Sequence, residues 1–202
     1  MASPVETGIQ FRTCIGCDAT EEQVIEKMDG NTAFHDWRMG HILNNNIPGR
    51  ITAYGLMEYA VCYRTGQQIA SETLIAILEE QFILTDYIKE GLYNNYFYDA
   101  MTDSFIFPED YLTGPIHAAE VYAYRYEGGD RYTVYYLNWD YDELAGTGEK
   151  GMLWEVEVEY SPHNGDKYSP KSHRYLSFKI VYSLPDDTVY CYEGGRPGGW
   201  AY

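Results

Sequence analysis

Apolar positions change period near residue 117, from helical to alternating, and this divides the chain into a helical first half and a strand-rich second half. Thr20-Glu-Glu-Gln23 has the residues of a capping box, and Val24, Ile25 and Met28 follow as a short apolar face before Gly30, which predicts a helix of about two turns. A second helical stretch from Ala33 carries Phe34, Trp37, His41 and Ile42 on one side and ends at Asn44-Asn-Asn46 with Pro48-Gly49. The segment 51–63 is ambiguous. Ser71 is the expected cap of a helix in which Leu74, Ile75, Leu78 and Phe82 recur at helical spacing, with Glu72 at its positive end. Thr85-Asp86 opens a further helix through Ile88 and Leu92 toward Tyr96, Phe97 and Tyr98, and Phe107-Pro108-Glu-Asp110 breaks it into a loop.

Beyond His117 the alternation predicts strands. Val121, Ala123 and Arg125 oppose Tyr122, Tyr124 and Tyr126; Gly128-Gly-Asp130 makes a hairpin turn; Tyr132, Val134 and Tyr136 then alternate with Thr133, Tyr135, Leu137 and Trp139. In 152–160, Met152, Trp154, Val156, Val158 and Tyr160 face one way and Glu155, Glu157 and Glu159 the other. In 174–182, Leu176, Phe178, Ile180 and Tyr182 oppose Tyr175, Ser177 and Lys179, and a last short strand is expected near 188–192. Helices followed by a meander predict an α+β fold, with N-terminal helices packed on a curved antiparallel sheet of about five strands in a cystatin-like or NTF2-like architecture. The expected organisation is a flexible leader over 1–19, one domain over 20–193 and a loose glycine-rich tail over 194–202.

Composition sharpens this picture. The formal charge of −17 repels phosphate backbones and anionic lipid, so nucleic acid is an unfavoured partner and a basic protein or a glycan a favoured one. No apolar run reaches the roughly 18 residues that span a bilayer, so no membrane insertion is expected. The expected location is extracellular or in the cell envelope, with the cytoplasm as the alternative. The 22 tyrosines exceed what a core normally takes, because a buried phenol needs a polar partner, so some are expected at the surface, where rigid aromatic area suits an interface. Combining tyrosine and charge gives the expected contact surface on the sheet's outer face or the hairpin around Tyr122 to Trp139: Tyr122, Tyr124, Tyr126, Tyr135, Trp139, Glu155, Glu157 and Glu159.

Candidate chemistry is sparse. Cys14, Cys17, Cys62 and Cys191 allow three pairings; Cys14-Ile-Gly-Cys17 lacks the second half of a zinc site, and Cys62 and Cys191 lie in apolar stretches where buried thiols are common. The histidines 35, 41, 117, 163 and 173 form no metal pair. A regular strand spreads Glu155, Glu157 and Glu159 about 7 Å apart, too far for a hard-cation cage. The acidic segment 138–143 reads as a loop without the glycine and final glutamate of an EF-hand. Cys62, His117 and Asp110 form a nucleophile-base-acid triple only by composition, and Asp86, Asp99, Asp103 and His117 are the groups for acid–base work in a pocket. No cofactor, metal site or catalytic residue is assigned.

The run Tyr59-Ala-Val-Cys-Tyr63, Arg-Thr-Gly, then Ile69 through Phe82, followed by Asp99 to Phe107 and the strands beyond, resembles the IseA-like exported inhibitors of cell-wall DL-endopeptidases in Gram-positive bacteria. Met101-Thr-Asp103 stands where such proteins often carry a glycine. The resemblance implies an acidic, non-catalytic domain that binds basic wall hydrolases. The function expected is therefore an exported binding module engaging a basic protein or cell-wall glycan. The alternatives are an NTF2-like pocket enzyme or small-ligand carrier, and an intracellular acidic inhibitor imitating nucleic acid.

Overall fold

Two long hairpins organise the second half of the chain. The computed structural model describes residues 8–13, 20–25, 30–36, 38–44, 51–62, 64–109, 117–142, 147–161 and 173–191. Its elements are β1 (Gly8–Thr13), β2 (Thr20–Ile25), α1 (Gly30–Phe34), α2 (Met39–Asn44), α3 (Ala53–Val61), β3 (Gln68–Ala70), α4 (Ser71–Gln81), α5 (Asp86–Tyr93), β4 (Tyr98–Asp99), β5 (Ser104–Ile106), β6 (His117–Gly128), β7 (Arg131–Asp142), β8 (Thr147–Tyr160), β9 (His173–Val181) and β10 (Val189–Tyr190). The five-stranded sheet has the order β10-β6-β7-β8-β9 with every neighbour antiparallel, so the α+β class holds. Gly128 and Gly129 both take positive φ at the tip of the β6–β7 hairpin, a conformation that side chains disfavour.

The helices cover one face of that sheet. Phe34, Met39, Leu56, Leu74, Leu78 and Leu92 share a core with Val134, Tyr136, Trp154, Val156 and Val158. Glu155, Glu157 and Glu159 fall on the opposite side from Trp154, Val156 and Val158, as the alternation predicts. A smaller apolar cluster of Tyr122, Ala123, Tyr135, Leu137 and Leu153 packs apart from the main core, against Val181 and Leu184.

Two bulges correct the predicted faces. Val121 pairs with Tyr136 and Ala123 with Tyr135, which leaves Tyr122 as an extra residue. Tyr122 and Ala123 therefore join the smaller cluster together, while Val121 and Tyr124 both enter the main core. In β9, Glu157 pairs with Ser177 and Val158 with Tyr175, so Leu176 is extra and Tyr175 turns inward beside Phe178. Met152, expected in the core row, is exposed, as is Tyr182. Residues 138–142, expected in a loop, continue β7, and the Asn138 side-chain oxygen accepts from the Met152 amide at 2.6 Å.

The first half departs further from expectation. The capping-box segment forms β2, paired in register with β1 from Gly8↔Ile25 to Thr13↔Thr20, so the leader contributes a strand. A two-turn helix is marginal by itself, and a six-pair ladder with β-branched Thr20, Val24 and Ile25 outweighs a local cap. The stretch from Ala33 is two short helices, because Asp36 interrupts it by accepting the Arg38 amide through its side chain at 3.2 Å. The ambiguous segment is α3, where Thr52 Oγ1 accepts from the Gly55 amide at 3.0 Å. Thr85 caps α5 as predicted, accepting from the Ile88 amide at 3.3 Å. Ser71 does not cap α4; its hydroxyl donates to Asp103 at 2.6 Å. Tyr98 leaves the helix for a small sheet ordered β3-β5-β4. The glycine-rich tail lies outside the described residues.

Candidate binding surface

The aromatic residues expected to form an outer contact surface are mostly inside. Tyr122, Tyr124 and Tyr135 are buried, and Tyr126 is half-buried against the main core. The Trp139 side chain lies outside the described residues. Burial, and then the Glu155 charge, push the Tyr135 phenol up to about 12.

The outer glutamates are interleaved with cations. Lys179 Nζ lies 3.5 Å from Glu155, and Glu159 receives Arg131 at 3.4 Å and Arg174 at 3.6 Å. Glu127 takes Arg125 Nε and the Thr133 hydroxyl, each at 2.6 Å. Burial raises the Glu127 carboxyl, but these two bonds outweigh it and hold the group below the usual range. The row is thus a mixed-sign network and contributes little net field.

Three buried tyrosines, Tyr59, Tyr136 and Tyr175, find their polar partners inside the core. Asp36 is buried and accepts from Arg38 Nε at 2.8 Å, Arg38 Nη2 at 2.9 Å, Tyr59 Oη at 2.9 Å and Tyr175 Oη at 3.1 Å. The Arg38 guanidinium also lies 3.9 Å from the centre of the Tyr59 ring. Tyr136 donates to the Phe34 carbonyl at 2.7 Å, and His173 Nε2 lies 2.6 Å from the Ala33 carbonyl. These bonds tie the α1–α2 turn to α3 and the sheet. Burial, then Asp36, raise the Tyr136 and Tyr175 phenols well above their ordinary value. Asp36 is saturated with donors, which suits a structural centre.

The surface charge and the protruding aromatics meet elsewhere, on α4, α5 and the β4–β5 turn. Residues 71–103 hold seven acids, Glu72, Glu79, Glu80, Asp86, Glu90, Asp99 and Asp103, against Lys89 alone. Lys89 pairs with Glu79 at 2.5 Å. Tyr87 on α5 is 83% exposed, Tyr93 and Tyr96 are exposed beyond it, and Met101 at the turn is 96% exposed. Asp99 accepts the Thr102 hydroxyl at 2.7 Å and the Met101 amide at 3.0 Å, and Asp103 accepts Ser71 and, at 3.0 Å, Tyr98. These bonds lower both carboxyls and keep them charged. Sequence reasoning read this stretch as helices and gave Asp86, Asp99 and Asp103 as groups for acid–base work in a pocket, not as a contact surface; the signal available was its seven-to-one charge ratio.

Beside this surface runs a groove of about 820 Å³, with Ile83, Tyr87 and Ile88 on one wall, Leu176, Ser177 and Phe178 on the other, and Glu90 at its rim. Ile83 is 48% exposed. Cys62 lies outside it, half-buried, with its thiol donating to the Glu58 carbonyl at 3.2 Å; burial, then Glu58, push that thiol up to about 11. Asp110 and the His117 side chain, expected as possible partners of Cys62, lie outside the described residues. No group of histidine, cysteine or carboxylate side chains suited to a metal occurs among the described residues, and no helix there is long and apolar enough to cross a membrane. Comparison with known protein families, with curated proteins and with solved structures finds no match to this chain.

Proposed function

We propose that this protein is a binding module that engages a basic protein through the acidic, tyrosine-bearing surface of α4, α5 and the β4–β5 turn. The observation that carries this reading is the coincidence, within residues 71–103, of seven acids opposed by one lysine with the exposed Tyr87, Tyr93, Tyr96 and Met101. A one-signed patch steers an oppositely charged partner, and exposed aromatic side chains anchor it at low entropic cost. The mixed-sign network on the outer sheet face is a poorer source of steering, and its interleaved arginines weigh against imitation of nucleic acid. Helices on one face of a five-stranded antiparallel sheet support a cystatin-like or NTF2-like description of the architecture. The IseA-like resemblance makes basic wall hydrolases the first partners to test, with export to the envelope as the setting.

The test is retention of basic wall hydrolases, with peptidoglycan as a parallel probe, on immobilised protein at low and high salt. Glu80→Lys with Glu90→Lys should abolish the salt-sensitive retention, whereas Glu157→Lys on the outer sheet face should leave it. Equal retention by all three proteins overturns the assignment.

A further inference from the structure

The sheet ends at β9, and one feature of its outer edge goes beyond a charged surface. On that side Phe82 forms a single parallel bridge with Tyr175, held by stacking of the two rings at 5.2 Å between centroids. The chain then turns away through Ile83 and Leu84 to the Thr85 cap of α5. A sixth strand thus begins beside β9 and stops after one residue. Among the described residues, no strand pairs with the outer side of β9 beyond that bridge, and Leu176, Ser177 and Phe178 of this edge line the groove.

Edge strands that avoid pairing carry a device that blunts them, commonly a lysine. Lys179 is the candidate here, yet it pairs across the ladder with Glu155 on the opposite side from Phe178, away from the apolar wall. The groove itself has what a strand-addition site requires: a backbone edge without a further strand partner among the described residues, apolar side chains for alternate residues of the guest, and one carboxylate, Glu90, in its lining.

We propose that β9, from Leu176 to Val181, accepts an extended basic segment of a partner protein as an additional strand, seated between the sheet edge and α5. The occupant's apolar residues meet Ile83, Ile88 and Phe178, and a lysine or arginine of the same segment meets Glu90 and the adjoining acidic surface. This rests on the functional reading above for the sign of the partner's charge; the backbone edge and the groove stand independently of it.

The experiment uses the full chain and two synthetic peptides of alternating lysine and valine, one of them N-methylated at every second amide. Methylation removes ladder donors and leaves side chains and charge in place. The expected result is binding of the unmodified peptide, hydrogen-exchange protection gained within residues 176–181, and roughly tenfold or greater weakening on methylation. Ile83→Lys, a change at an exposed rim position, should weaken the unmodified peptide by a similar factor without changing the melting temperature. Equal affinity for both peptides, or protection gained elsewhere, overturns strand addition. In that case the acidic-surface reading still holds if Glu80→Lys with Glu90→Lys abolishes salt-sensitive retention. Failure of the peptides and of the basic hydrolases to bind at low salt overturns both.

Discussion

A Cβ placed on Gly91 of α5 would stand 2.7 Å from the Cβ of Ala53 at the start of α3. The two helices touch there because position 91 has no side chain, and both residues line the groove beside β9. Helix propensity favours alanine over glycine by about 1 kcal/mol, but a contact this short demands that a helix move. Gly91→Ala should therefore lower stability by about 1–3 kcal/mol in urea unfolding. Ala53→Gly removes the atom that clashes, so the double variant should recover most of the loss. A Gly91→Ala variant more stable than the parent would show that α3 and α5 are not in contact.

Asp36 and Arg38 form the most demanding polar contact of the core, a buried pair in which the carboxylate also serves two tyrosines. Removing one partner leaves the other charged and uncompensated. Arg38→Ala and Asp36→Ala should each cost about 3–5 kcal/mol. The Asp36→Ala and Arg38→Ala pair together should cost less than the sum of the two, because no charge is then stranded. Additive losses in a double-mutant cycle would remove the ion pair from this account.

His173 gives the fold a pH dependence of definite sign. Burial lowers its imidazole below 6.5, outweighing the Ala33 carbonyl and Asp36, which favour the proton, while Arg38 opposes it. Between the lowered folded value and 6.5, the unfolded chain binds a proton that the folded chain does not. Stability is therefore full above 6.5 and is lost as pH falls below it, by up to about 1.4 kcal/mol per pH unit from this group. His173→Gln should flatten the stability curve just below 6.5, measured as the urea midpoint against pH. An unchanged slope would mean that His173 takes its proton in the folded state.

Much of this architecture was legible in the chain. The glutamate row of β8, the Gly128-Gly129 turn and the Thr85 cap are local patterns, and each is realised because neighbouring residues alone determine it. Whatever depended on a distant partner was not legible. Thr20 to Ile25 carries helix-start signals, yet its ladder with Gly8 to Thr13 is a tertiary fact. Tyr122, Tyr124, Tyr126 and Tyr135 were expected outside because a buried phenol needs a partner, and the sequence does not show which partners the interior offers, such as Asp36 and the Phe34 carbonyl for Tyr59, Tyr175 and Tyr136. The acidic surface was sought where glutamates alternate, although alternation also places Arg131 and Lys179 across from them.

The Tyr122 bulge allows a test of how the faces of β6 are set. Because Tyr122 and Ala123 share one cluster, deleting Tyr122 restores simple alternation: Val121 and Tyr124 stay in the main core and Ala123 stays in the smaller one. The deletion forfeits the burial of one tyrosine and the hydrogen bond that its carbonyl accepts from the Cys191 amide at 3.1 Å. It should fold, with a loss of about 3–5 kcal/mol set mainly by the missing ring. Deleting Val134 from β7 has the same length effect but reverses every side chain on one side of the cut, so that chain should not reach a cooperative fold. Far-ultraviolet circular dichroism with urea titration separates the outcomes. If the two deletions behave alike, the bulge does not set the faces of β6.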